Sequence, residues 1–501
     1  MNGDGHGAGG ELHARRWWVL MVLALAQLMV VLDATVVNIA LPHAQHALGF
    51  SNGARQWVVT AYSLAFGSLL LLGGRLADVF GRKRLFLTGV IGFATASAVG
   101  GASVDFPMLV AARTIQGAFG ALLAPAALSL LSTTFTHADE RGKAFGIYGG
   151  IAAAGSSVGL LLGGVLTQYL SWRYTMYVND VIAIAAVAGG VALLPAHSAE
   201  DREPIDRRGT LLACLSLFAI VYGFAHAATK AGSAGWIDPQ TIGFLTVGVL
   251  LLGLFFVVER RASHPLLPPR VIVDRNRGGA YAAMFLASVG LFGVFLFLTY
   301  YLETVLHYSP VTTGLAFLPM TGMVMLTAGL ASSVLMYRVS PRLLVPAGLL
   351  VAAAGLLYLR GIGLQSHYVT AVLPALLMVA VGLGLVFAPC FSLGTLGVAG
   401  GDSGVASATV NVAQQIGGSI GTALLNSIAT SAAATYVSAH VHTTHSATML
   451  TALSAIHSYV VAFTVSAGIF VGAAVLIAIM LRPGVVDLGA NAELEAAMIH
   501  A

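Results

Sequence analysis

Three ionisable residues lie where such groups are costly. Asp33 sits late in an apolar run from Trp17 to Leu41, Arg113 in a run from Pro107 to Ser132, and Asp180 in a run from Thr175 to Pro195. A carboxylate at the centre of a bilayer costs about 2.5–3.5 kcal/mol. Asp33 is therefore either an acid satisfied by a neighbouring helix or a group that carries protons. At a helical rise of about 1.5 Å per residue, Asp33 lies roughly 13 Å below Pro42, and Arg113 roughly 9 Å into its own run from the same surface. Asp180 falls at a similar level. A charge at that depth pairs with another or lines a wet cavity. An Asp33–Arg113 pair is expected; the alternative is an arginine that bonds only backbone carbonyls.

Other polar residues group around these. Asp33 and Asn38 are five residues apart, so they point about 140° apart at 100° per residue. Gln27 shares the Asn38 side, and a helix with two polar sides must be enclosed by others. Arg113, Gln116, Gly117, Gly120 and Ala121 form one stripe. Gln116 is placed to bridge Arg113 to a bound molecule or to another helix. In the second half, Asn411, Gln414, Gln415 and Gly418 make an interior face expected to touch cargo, and Glu303 stands at the outer lip of a run. Gly155, Gly159 and Gly163, four residues apart and followed by Gly164, form a close-packing helix face or a bend. In the short loop from Gly74 to Arg84, Asp78 is the lone acid, four residues before Arg82, with Gly81 between them. That loop is a solvated turn, or a salt bridge or helix-dipole contact that holds one conformation closed.

The elements that must position these groups are membrane helices. The chain has 501 residues, 57% of them hydrophobic and 9% charged, with 59 glycines and a mean hydropathy of +0.87. Soluble domains carry about 25% charged residues. Runs of about 20 apolar residues can cross a bilayer as helices. They fall near 17–41, 56–76, 85–103, 107–132, 143–168 and 175–195, then 210–229 and 241–258, then 279–301, 312–335, 343–363, 369–395, 405–430 and 457–481. Fourteen spans put both termini on one side. All of the 24 Lys and Arg residues except Arg55, Arg113, Arg173, Lys230 and Arg360 then fall on that side, which the positive-inside rule makes cytoplasmic. The expected organisation is an all-α membrane protein with a tail over 1–16, a six-helix bundle over 17–195, loops and two inserted spans over 196–278, a second six-helix bundle over 279–481 and a tail over 482–501. Two such blocks suggest a duplicated transporter.

Several classes are excluded. Cys214 and Cys390 both lie in apolar runs, which argues against a disulfide framework or thiolate metal site. His440, His442 and His445 are irregularly spaced without a nearby acid, and His226 is isolated in its span. No nucleophile–base pair or metal constellation points to an enzyme, and the net charge of +4 is scattered over loops rather than gathered for nucleic acid.

These residues resemble the major facilitator superfamily, in particular its 14-span drug:proton antiporters, over nearly the whole chain. The segment Leu32-Asp33-Ala34-Thr35-Val36-Val37-Asn38-Ile39-Ala40-Leu41-Pro42 matches the first-span signature, whose acid is implicated in proton coupling. Gly74 to Arg84 matches the loop motif that acts as a conformational lock. Arg113-Thr114-Ile115-Gln116-Gly117 matches the fourth-span motif, whose Arg is linked to proton transfer, and Gly159 to Gly164 resembles the fifth-span antiporter motif. There are departures. Leu160 stands where the family has Pro, Asn179-Asp180-Val181 replaces Asn-x-Pro, Glu303 stands for Gln, and Gln414 for Arg.

The resemblance implies two bundles rocking about a central cavity, with export of amphipathic, possibly cationic drugs or antibiotics by proton antiport. It implies proton coupling by Asp33 and Arg113. Cargo contacts are expected from Asn38, Gln116, Asn179, Asp180, Glu303, Asn411 and Gln415, with Asp180 sharing the proton or the cargo's charge. The proton gradient, rather than a cofactor, would supply energy, and the protein would work as a monomer in the cytoplasmic membrane, without nucleic acid. A narrow exporter of one metabolite or antibiotic and an uncoupled facilitator are the rival readings.

Overall fold

The computed structural model describes residues 5–50, 52–135, 138–194, 206–229, 235–262, 265–398, 402–441 and 446–484. Its first six helices are α1 (Gly5–Leu48), α2 (Asn52–Phe80), α3 (Arg82–Gly101), α4 (Phe106–Thr134), α5 (Ala138–Tyr169) and α6 (Tyr174–Leu193). Two more follow, α7 (Arg207–Thr229) and α8 (Pro239–Glu259), then a short helix α9 (Pro269–Val273). The rest are α10 (Arg275–Tyr300), α11 (Pro310–Leu330), a three-residue α12 (Met336–Arg338), α13 (Pro341–Tyr358), α14 (Leu373–Thr395), α15 (Ser403–His440) and α16 (Ala447–Met480). Leaving aside α9 and α12, these long helices coincide one for one with the fourteen apolar runs. By length and apolarity alone, 11 of the described helices can cross a membrane. α5, α7 and α15 are not among these 11. No strand occurs among the described residues.

Local chemistry explains where helices begin. Asp105 accepts from Met108 N at 2.8 Å and caps α4, followed by Pro107 in the first turn. Asp238 caps α8 and Asp274 caps α10. Gly81 breaks the chain between α2 and α3 with φ 92°, ψ 131°, a conformation that side-chain-bearing residues rarely adopt.

The helices pack as two groups. α4 packs on α2 and α3, α1 on α5 and α6, and α3 on α6. In the second group α10 packs on α15 and α16, and α13 on α14 and α16. The groups meet through α5 against α11 and α14, and through α2 and α4 against α15. Small residues allow these crossings: Gly142, Gly146 and Gly150 lie against Ser332, Ala328 and Met325, and Gly74 lies against Gly404 and Ala408. The pair α7–α8 packs through α7 on α2 and α15, one helix of each group.

One face of the molecule carries most of the basic residues, and both described chain ends lie there. Arg16 of α1 pairs with Glu140 at the start of α5 at 3.3 Å. Arg275 and Arg342 bond the last turn of α16 at Ile479 and Ala478, 2.7 Å each.

Candidate functional site

The site is built on α1, where Asp33 has no solvent exposure. Its Oδ2 accepts from Arg113 Nη1 of α4 at 2.6 Å. Its Oδ1 accepts from Gln116 Nε2 at 2.8 Å and from Asn179 Nδ2 of α6 at 2.9 Å. Arg113 and Gln116 are one helical turn apart on α4, so both reach the same carboxylate. Arg113 Nη1 also donates to Gln116 Oε1 at 2.6 Å, its Nε donates to Val58 O of α2 at 3.3 Å, and its guanidinium lies 4.3 Å from the centre of the Tyr62 ring. Asn179 Nδ2 donates to Ser97 Oγ of α3 at 3.0 Å, and Ser97 donates to Met176 O at 2.9 Å. Five helices thus converge on one buried anion. All three of its side-chain partners are donors, the arrangement that an ionised carboxylate requires.

The glycines of α5 form the back wall. Gly155 lies against Val31, Gly159 against Thr35 and Leu32, and Gly163 against Val36. A Cβ at Gly159 would collide with Thr35 Oγ1. α5 is one continuous helix with Leu160 in its middle and Gly164 buried, so these residues serve as a packing face rather than a break. Two turns along α1, Gln27 Oε1 accepts from Tyr148 Oη of α5 at 2.8 Å, and the Tyr148 ring meets Phe391 of α14 edge-on at 5.8 Å.

The structure brings together Asp33, Arg113, Gln116 and Asn179. Gln116 bridges Arg113 to Asp33 of α1. Asn179 is buried against Asp33, while Asp180, one residue on, is half-buried and has no hydrogen bond or ion pair to Asp33. A step of about 100° round a helix separates the two side chains. Glu303 sits half-buried in a π-helical turn, Tyr301–Val305, at the end of α10 and does not join the site. Asn411 bonds back to Ser407 O at 2.9 Å, and Gln415 faces Gly67 of α2. Asn38 lies within α1, and its side chain is outside the described residues. His226 is not isolated: its Nε2 is 3.1 Å from Asp238 Oδ2, because the cap of α8 comes back against α7. His442 and His445 are outside the described residues, while His440 stacks on Tyr436 at 4.1 Å.

On the basic face, the Gly74–Arg84 segment spans the two groups. Asp78 accepts from Gly404 N at the start of α15 at 3.2 Å, and Arg82 lies 3.8 Å from it. Arg141 of α5 donates to Thr395 O at the end of α14 at 3.4 Å. Next to the first of these contacts, Arg270 Nε donates to Asp402 Oδ2 at 2.8 Å. Sequence reasoning did not find the Asn179, Ser97, Arg141 or Arg270 contacts. Only Asn179, in the position of a family motif, carried a signal.

A sequence model of the Major Facilitator Superfamily matches residues 23–422. The chain belongs to that superfamily. It is 48% identical over 465 residues to a puromycin resistance protein of Streptomyces alboniger, covering 92% of this chain and 90% of the relative. It is 37% identical over 410 residues to a cephamycin export protein of Amycolatopsis lactamdurans, covering 81% and 83%. Among solved structures, the proton:xylose symporter XylE superposes with a TM-score of 0.66 at 16% identity, covering 97% of this chain and 99% of the symporter. That likeness carries the major facilitator fold alone. The protein is thus a multi-pass membrane transporter of the superfamily and not an enzyme.

Proposed function

We propose that this major facilitator exports small amphipathic antibiotics in exchange for protons, using Asp33 as the proton carrier. The observation that carries the reading is the buried Asp33, held by Arg113, Gln116 and Asn179 at the meeting point of five helices. Protonation of Asp33 removes the charge that Arg113 holds. It thereby loosens α1 from α4 and biases the two helix groups toward another arrangement. The gradient is sufficient to drive this, at about 2.3 kcal/mol per charge per 100 mV and about 1.36 kcal/mol per pH unit. No cofactor enters. With the basic face toward the cytoplasm, both termini lie inside, and Asp33 is loaded from the outer side and unloaded inward, in a monomer within the cytoplasmic membrane. Cargo would sit between the groups, near Gln415 and Asn411.

The test is puromycin uptake into everted vesicles containing the wild-type protein or Asp33→Asn, with and without a proton gradient. Gradient-driven uptake by the wild type alone is expected. Equal, gradient-independent uptake by both would show an uncoupled facilitator. The names of the puromycin and cephamycin relatives each specify one antibiotic, which favours a narrow cargo range over a broad one. Competition by chemically unrelated dyes measures that range.

A further inference from the structure

We propose that Asn179 receives the proton-bearing oxygen of Asp33. Its amide donates to the carboxylate when Asp33 is ionised, and turns end for end to accept from the carboxylic acid when Asp33 is neutral. Asn179 is thus a positioning residue that ties α6 to the protonation state of α1, rather than a cargo contact. The inference rests on the proton-carrier reading of Asp33 given above.

In the ionised arrangement both amide hydrogens of Asn179 are used. Asn179 Nδ2 gives one hydrogen to Asp33 Oδ1 at 2.9 Å and the other to Ser97 Oγ at 3.0 Å. Asn179 itself has no solvent exposure, yet its Oδ1 has no hydrogen-bond partner among the described residues. A buried acceptor left unpaired is costly, so the ionised state carries an unspent acceptor beside the carboxylate. The neutral acid has the opposite need. A proton entering from outside binds a carboxylate oxygen, forms one O–H bond and breaks none in the protein, and the new O–H must find an acceptor. The groups already bonded to Asp33 present N–H. The Gln116 carbonyl is engaged by Arg113. Asn179 Oδ1 is the acceptor that a simple amide rotation brings to Asp33. The Ser97 hydroxyl, now donating to Met176 O, can turn its proton to the same oxygen.

The groups facing Asp33 from each neighbouring helix are consistent with this role. α4 contributes Arg113 and Gln116, α2 contributes Tyr62 behind Arg113, and α3 contributes Ser97 through Asn179. α5 presents glycines at this level, and its nearest titratable group, Tyr148, is engaged by Gln27. α6 presents Asn179, while the half-buried Asp180 makes no hydrogen bond or ion pair to Asp33.

The test is infrared difference spectroscopy of the full protein in lipid bilayers through a pH titration. The carboxylic-acid band of Asp33 is identified by its loss in Asp33→Asn. In Asn179→Leu the acid loses its acceptor, so the band is expected at higher frequency than in the wild type. An unshifted band in Asn179→Leu overturns the inference. A second measurement needs no variant: asparagine carrying carbon-13 at its side-chain carbonyl is incorporated into the wild type. An amide carbonyl band that moves with the same midpoint as the Asp33 acid band supports the switch. Asparagine bands that stay still while Asp33 titrates overturn it. If no Asp33 acid band appears at any pH, the proton-carrier reading itself fails, which is a different result from a still amide.

Discussion

Arg113 and Asp33 depend on each other because neither has another way to bury its charge. Arg113 is 1% exposed and Asp33 fully buried. Removing one partner of such a pair leaves an uncompensated charge and costs about 3–5 kcal/mol. Arg113→Ala is therefore expected to lower stability by that order. The double variant Asp33→Asn/Arg113→Ala should recover a substantial part of it, as measured by thermal unfolding in detergent. Additive losses would show that the two do not act as a pair. Arg113→Lys is not a conservative exchange here. A single ammonium cannot serve Asp33, Gln116 and Val58 O in the fixed directions of a guanidinium. The pair was legible from sequence because charges inside apolar runs are scarce and depth can be counted in residues. The choice between Asn179 and Asp180 was not. Adjacent residues differ by about 100° on a helix, and which of them faces inward is set by how α6 rolls against α1 and α3, which no spacing within α6 alone decides. The partner of Gln116 is hidden from the sequence for the same reason: its reach depends on how closely α4 approaches α1.

At the scale of the helix, α5 fixes where α1 can sit. The row Gly155, Gly159, Gly163 lets the α1 backbone approach along the turns that hold Asp33. A side chain there must push α1 away or twist Thr35, whose hydroxyl bonds Leu32 O at 2.9 Å. Overpacking costs typically about 1–3 kcal/mol. Gly159→Leu is expected to reduce stability by that amount and to abolish gradient-driven uptake in vesicles, because it shifts Asp33 against α4 and α6. Gly468 of α16, with open space at its Cβ position, serves as the control: Gly468→Ala should leave uptake unchanged. The positions of the long helices were readable because apolar length and charged loops are written in the chain. Their pairing was not, since lipid-facing and buried apolar residues look alike in a membrane sequence. The place of α7 and α8 shows this. Their hydropathy marked them as spans, but only the structure puts α7 against α2 and α15 and leaves α8 little buried.

For the whole molecule, the basic face holds the two groups together at a few polar contacts. The Asp78 carboxylate on Gly404 N joins α2 to α15, and Arg141 on Thr395 joins α5 to α14. A hydrogen bond to a charged group contributes about 1.5–3 kcal/mol, which is roughly a 10- to 150-fold change in an equilibrium between arrangements. Asp78→Asn keeps an acceptor for Gly404 N but loses the charge, so it is expected to shift the population by at most that factor toward a state open on the basic face. Spin labels at the exposed Arg84 and Leu343 should report a longer distance between the groups. The chain leaving α8 meets the same place. Glu259 Oε2 accepts from Leu267 N at 2.9 Å, Leu266 and Val271 are buried, and Arg270 pairs with Asp402, two residues before Gly404. Yet Arg270 is 73% exposed in that pair, and exposed ion pairs contribute at most about 1 kcal/mol. Arg270→Ala should therefore move the same label distance much less than Asp78→Asn. If the two variants shift it equally, the connector from the inserted helices is itself part of the closure, and the extra pair of spans controls the rocking of the bundles rather than merely lying beside them.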